Sequence, residues 1–112
     1  MESGTLSKQE AYERIAQIMG CKWSVRILDA LANGSARPSE LLRECGGLAE
    51  RVLHRCLNRL QRDGLISKRC YAEIPPHTEY ELTSMGKEVL RLLESAWSLA
   101  DRWEGSQRAI GK

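Results

Sequence analysis

Between Ala49 and Asp63 the chain carries a pattern that leaves few folds open. Leu53, Cys56, Leu57 and Leu60 recur at i, i+3, i+4 and i+7, which gives one apolar stripe on an otherwise polar helix. Away from that stripe project Glu50, Arg51, His54, Arg55, Asn58, Gln61 and Arg62, a face that is basic and amide-bearing. A shorter helix is expected just before it over Ser39–Cys45, with Pro38 in the first turn and Leu41 and Leu42 inward. Gly46-Gly47 break the pattern between the two. A short helix, a tight glycine turn and a longer basic helix read together as a helix-turn-helix at about 38–63.

After Gly64 the period changes to two. Leu65–Tyr71 and His77–Thr83 read as strands, and Pro75-Pro76 stiffen the loop that joins them. A hairpin that follows such a helix directly is a wing, at about 65–83.

The flanks are helical. Ser7 with Glu10 forms a capping box for a helix at about 8–19, on which Ala11, Tyr12, Ile15, Ile18 and Met19 keep helical spacing up to Gly20. A second helix runs from about Lys22 to Asn33, with Trp23, Ile27, Leu28 and Leu31 inward and Gly34 as its stop. The last helix is expected at about 84–104, with Gly105–Lys112 as a frayed tail. Its polar residues form one narrow stripe, and the remaining arc, from Met85 to Trp103, is wider than one small domain covers. That arc predicts a homodimer through the terminal helices, with Tyr12, Ile15, Leu92, Leu93, Trp97, Ala100 and Trp103 in the interface. The fold class is mainly α with a small β-hairpin, a winged helix-turn-helix in a single domain spanning 1–112.

Charge and composition narrow the function. Eight basic groups fall between Arg37 and Arg69 against four acidic ones, so the overall +2 is a surplus of four here set against a deficit of two elsewhere. A basic middle between acidic flanks is the footprint of a polyanion-binding surface. At 112 residues the chain holds one modest core. No apolar run approaches a membrane span and Met1–Ser7 lacks a secretory apolar segment, so the expected location is the cytoplasm. Cys21, Cys45, Cys56 and Cys70 are scattered without a Cys-x-x-Cys pair, which fits reduced thiols better than a disulfide framework or a zinc site. There is no Gly-rich phosphate loop and no carboxylate pair, and His54 and Cys56 point to different faces of their helix. The chain is therefore expected to be no enzyme, to bind no metal and to need no cofactor.

The stretch from Tyr71 to Gly86, with Pro75-Pro76 ahead of Glu79-Tyr80-Glu81-Leu82-Thr83, closely resembles the wing signature of HxlR-type regulators. Lys22-Trp23 with Ile27-Leu28 resembles that family's Lys-Trp helix, and Gly34, Arg37, Glu40-Leu41 and Leu57–Ile66 follow in the family's order. The resemblance covers about residues 12–103. It implies a winged-helix fold, a homodimer built from terminal helices, and transcriptional control at palindromic operators. Three departures stand out. Pro38 follows Arg37 where the family has an aromatic, which weakens any short strand there. Ala49 replaces the serine that caps the recognition helix. No cysteine precedes Cys21, so the oxidant sensing that some members run through a cysteine ahead of the first helix does not carry over.

The expected partner is thus double-stranded DNA. Its candidate contacts are Arg37, Glu50, Arg51, His54, Arg55 and Asn58 around the helix, with Lys68, Arg69 and His77 on the wing. Arginine can donate two bonds to guanine, and asparagine can pair with adenine. Cys21, at a helix start beside Lys22, has a route to a lowered pKa and is the one redox-sensitive candidate, although an inert thiol is the reading the residues favour. Cys56 reads as core, and Cys45 and Cys70 as inert thiols. A winged-helix module that binds only proteins is the alternative, and the basic helix face argues against it. A small-molecule effector is left open and unnamed.

Overall fold

The chain runs α1 (Lys8–Met19), α2 (Lys22–Ala32), α3 (Pro38–Glu44), α4 (Glu50–Arg62), β1 (Ile66–Tyr71), β2 (His77–Leu82) and α5 (Ser84–Ile110). This computed structural model describes residues 5–110. Residues 1–4 of the Met1–Ser7 start and 111–112 of the tail lie outside the described residues.

Each boundary has a local cause. α1 begins on the reciprocal cap read from the sequence: Glu10 N–H donates to Ser7 Oγ at 3.1 Å, and Ser7 N–H donates to Glu10 Oε1 at 2.9 Å. The turn between α3 and α4 passes through Gly47 at φ +92°, in the left-handed region where a side chain would be strained. Cys45 and Leu48 point inward from that turn and are buried. α5 starts on Thr83, whose Oγ1 accepts the Gly86 N–H at 3.0 Å and donates to the Gly64 carbonyl at 2.7 Å. One hydroxyl thereby ties the start of α5 to the end of α4.

The core is a single cluster shared by all the helices and the hairpin. Ile27, Leu28, Leu41, Leu53, Leu57 and Leu60 are completely buried in it, joined by Ile18 from α1, Ile66 and Tyr80 from the hairpin, and Val89, Leu90 and Leu93 from α5. Trp23, expected inward, is half-buried, with the Lys22 ammonium 4.9 Å and the Arg26 guanidinium 5.2 Å from its ring. Gly86 packs tightly, since a Cβ there would stand 2.0 Å from the Leu65 carbonyl oxygen.

The sheet has two antiparallel strands, paired from Ile66 with Leu82 to Tyr71 with His77. Among the described residues, the chain before α3 makes one sheet-like bond only, from the Tyr80 N–H to the Ala36 carbonyl at 2.8 Å. It goes no further because its donors are committed elsewhere. The Ala36 and Arg37 N–H groups both reach Glu40 Oε1, at 2.7 and 3.0 Å, and Pro38 has no N–H to give.

The tail differs from expectation. Gly105–Lys112 was to be frayed after Glu104, but α5 continues without a break to Ile110. Once a helix is long, each added residue closes one more backbone bond, which offsets the weak propensity of Gly105.

Candidate nucleic-acid interface

α4 is amphipathic in the strict sense. Its inner face, Leu53, Cys56, Leu57 and Leu60, is buried, while Glu50, Arg51, His54, Arg55, Asn58, Gln61 and Arg62 are exposed. The apolar face fixes the helix against α2 and α3, so the outer side chains stand on a rigid base. Four arginines, counting half-buried Arg59, share this helix with one acidic residue, Glu50. Among the described residues, no carboxylate lies within 4.0 Å of Arg51, Arg55 or Arg62. Glu50 Oε2 lies 3.9 Å from His54 Nε2, one turn on. The N-cap position holds Ala49, which offers no side-chain acceptor, so the first N–H groups of α4 are left to other partners.

The wing places its candidates on two faces. Alternation along a strand sends neighbours to opposite sides, so Lys68, paired with Tyr80, does not share a face with Arg69, paired with Glu79. Both are exposed. The Arg69 guanidinium donates to the Tyr71 hydroxyl at 3.5 Å, and that bond heads the causes holding its pKa above the usual arginine value.

Arg37 and His77, read from the sequence as separate DNA contacts, are brought together. Arg37 Nε is 3.6 Å from Glu79 Oε2, and Arg37 Nη2 is 3.4 Å from His77 Nε2. His77 Nε2 also lies 3.3 Å from Glu79, its Nδ1 lies 3.3 Å from Glu73, and its ring stacks on Tyr71 at 4.6 Å between centroids. Only 18% of the His77 side chain is exposed, against 49% for Arg37. This knot fastens the start of α3 to the wing, and Glu73, Glu79 and Tyr71 are members that the sequence reading passed over. Their signal was faint: Glu79 and Tyr71 fall opposite Arg69 and His77 only once the register is known.

The residues expected at a dimer contact divide. Tyr12 and Leu92 are exposed and Ile15 is half-buried, and together with Ala11, Ala16 and Met19 they line an apolar groove of about 480 Å³ between α1 and α5. Trp97 and Trp103 are 76% and 62% exposed, and Ala100 is exposed beside them. Leu93 lies in the protomer's own core instead, because the helical turn that carries it packs on α2.

Residues 18–108, which span the helix-turn-helix, the wing and most of α5, match the HxlR-like helix-turn-helix family. The chain belongs to that family. Its HxlR-like sequence is 35% identical over 102 residues to the Escherichia coli K12 protein YtfH, described as an uncharacterised HTH-type transcriptional regulator, with 90% of this chain and 79% of YtfH covered. Its fold is similar to a protein described as a MarR-family transcriptional regulator from Enterococcus faecalis V583, at TM-score 0.85 and 28% identity over 97% of this chain and 99% of that one. It is likewise similar to YtfH from Salmonella typhimurium, at TM-score 0.69 and 32% identity, covering 97% and 95% of the two chains. This HxlR-like protein is accordingly a transcriptional regulator of the winged helix-turn-helix type. No helix among the described residues is long and apolar enough to cross a membrane.

Proposed function

We propose that the protein is a homodimer that binds palindromic operator DNA in the cytoplasm. In this reading α4 of each protomer enters the major groove and the wing rests on the flanking backbone. The observation that carries the reading is the outer face of α4: a rigid, exposed surface whose arginines lack carboxylate partners among the described residues, beside a hairpin whose first strand exposes Lys68 and Arg69. Arg51, Arg55 and Asn58 have the donors to read base edges, and Glu50 with His54 forms the polar pair at the leading turn. Lys68 and Arg69 supply backbone contacts, and Arg37 with His77 holds the wing at its angle to α3 while offering donors of its own. Second copies meet through the α1–α5 groove and the bare apolar end of α5.

A two-fold dimer sets two recognition helices about 34–36 Å apart, one turn of DNA. Footprinting on DNA flanking the gene should therefore show an inverted repeat with that spacing and protection beyond both half-sites. Affinity should fall steeply between about 50 and 200 mM salt. A single asymmetric footprint, or affinity that is flat across that range, defeats the reading. A module that binds only proteins gives no footprint at all.

A further inference from the structure

His77 sits where four pieces of the chain converge on one ring. Arg37 reaches it from the start of α3, Glu79 from its own strand, Glu73 from the wing loop and Tyr71 from β1. Arg69, the cation across from Glu79 in the register, donates to the Tyr71 hydroxyl instead. Around the ring itself, two carboxylates therefore face one guanidinium while the imidazole is neutral, and a ring proton brings the set to balance. Cys21, the thiol singled out from the sequence, has simpler surroundings: it is half-buried at the start of α2, and the Ser24 hydroxyl donates to its sulfur at 3.2 Å.

One ring nitrogen meets two opposite demands. His77 Nε2 lies 3.4 Å from Arg37 Nη2, which can only donate, and 3.3 Å from Glu79 Oε2, which as a carboxylate oxygen can only accept. Without a proton, Nε2 accepts from Arg37 and turns its lone pair on the carboxylate. With a proton, it donates to Glu79 and meets Arg37 as a like charge. It cannot do both. Nδ1, 3.3 Å from Glu73 Oε1, is the donor in either state. The backbone is held whichever state is present. The Ala36 carbonyl accepts the Tyr80 N–H at 2.8 Å, and the Arg37 N–H donates to Glu40 Oε1 at 3.0 Å. The exchange thus moves the Arg37 side chain alone.

We propose that His77 is a positioning residue whose protonation decides whether Arg37 is held on the wing or released to a DNA phosphate. With the ring neutral, Arg37 bridges His77 Nε2 and Glu79 Oε2 and is occupied. With the ring protonated, the Nε2 N–H takes Glu79, and the imidazolium lies against the stacked face of Tyr71. Arg37 then loses its acceptor on the ring, is repelled by it, and turns into solvent, where half of its side chain already stands. Its place suits the task. Arg37 is the N-cap of α3, the first helix of the helix-turn-helix, and in that motif the first helix crosses the phosphate backbone. Acid therefore strengthens DNA binding, and bound DNA in turn favours the protonated ring. The effect on DNA rests on the operator reading given above, whereas the exchange within the protein does not.

The test begins with the full chain, labelled with nitrogen-15 and titrated by NMR without DNA from about pH 8 to about pH 5.5. At the alkaline end His77 should carry its proton on Nδ1 and none on Nε2. On acidification Nε2 should gain a proton, and the Arg37 Nε–H signal should move toward that of a free arginine with the same midpoint. In His77→Gln the Arg37 signal should not follow pH. A proton on Nε2 at the alkaline end, or an Arg37 signal that ignores the His77 titration, overturns the exchange. The second arm measures binding to the footprinted DNA for the parent and for Arg37→Gln. The ratio of parent to variant affinity should rise about threefold from the alkaline to the acid end, the scale of one exposed ion pair. The salt slope of the parent should steepen by about one over the same range relative to the variant. Taking the ratio removes the contribution of His54, which both proteins share. A ratio that is equal at both ends overturns the release of Arg37 to DNA. If neither protein binds DNA at either end, the operator reading fails, and the NMR titration still decides the exchange.

Discussion

The outer face of α4 and the outer half of α5 are both bare in a single protomer, yet water treats them differently. On α4 the bare groups are guanidiniums, an imidazole and amides, which are well solvated and need no partner to be stable. On α5 no residue after Leu93 is buried through Arg108, and the bare groups include Trp97, Leu99 and Trp103. On the proposed reading the first surface takes a ligand that supplies negative charge. The second requires a cover, because large apolar side chains in one patch cost free energy in proportion to their exposed area. In the dimeric, DNA-binding reading proposed above, the HxlR-like protein carries one optional and one obligatory interface.

The largest expected effect lies on the obligatory side. Trp97→Asp should cost association about 3–5 kcal/mol, the usual loss for deleting a buried aromatic, and so weaken the dimer more than a hundredfold. Sedimentation should show monomers or aggregates, while the circular dichroism of the protomer stays unchanged, since Trp97 is exposed there. Leu93→Asp should instead unfold the protomer, because Leu93 is in its own core. An unmutated chain that sediments as a stable monomer removes the contrast between the two faces.

α5 can also be compared with itself. At Gly86 an added Cβ would collide with the Leu65 carbonyl, whereas at Gly105 nothing lies within 4 Å. Gly86→Ala should therefore destabilise the fold by about 3 kcal/mol, the upper range for overpacking. Gly105→Ala should stabilise the helix by up to about 1 kcal/mol. Thermal melts of the two variants should move in opposite directions. Equal shifts would mean that the outer half of α5 is as constrained as its root.

On the optional side, Arg55→Ala should cost specific DNA binding about 1–3 kcal/mol without changing the melting temperature. Lys68→Ala and Arg69→Ala should each weaken specific and random DNA equally and lower the salt slope by about one. Because the two occupy opposite faces of the hairpin, their effects should differ in size, which binding isotherms at several salt concentrations resolve. A wing variant that loses sequence preference but keeps random affinity would show that the wing reads bases.

What could be read from sequence followed from period and local chemistry. The four apolar positions of α4, the Ser7–Glu10 cap and the alternation of the wing each act within a few residues, so the chain announces them. The dense apolar residues of α5 likewise announced a helix, but not its extent, because Gly105 and Ser106 resemble a stop although the backbone bonds continue to Ile110. Contacts over long separations were silent. Arg37 meets Glu79 only because Ala36 bonds to Tyr80. Periodicity showed Leu93 as one more apolar position and could not divide the arc of α5 between its own core and a partner.

The smallest expected effect concerns the seat of α3 beneath the recognition helix. Glu40 accepts the N–H groups of Ala36 and Arg37, and these two bonds, in that order, hold its carboxyl below the ordinary glutamate pKa. Both bonds favour the charged form, so the folded state binds this proton less tightly than the unfolded chain does. The stabilisation is therefore fully present above the ordinary value of about 4.3 and is lost as pH falls through the lower folded value. Glu40→Gln keeps a carbonyl acceptor but not the charge, so it should melt slightly below the parent protein at neutral pH. As pH falls through that lower folded value the two melting curves should converge, because the parent has lost the same charge. Melting temperatures for both proteins between pH 7 and pH 3 make the comparison. A gap that persists unchanged to the acid end would show that the carboxylate acts by shape alone, and that the seat of α3 owes nothing to its charge.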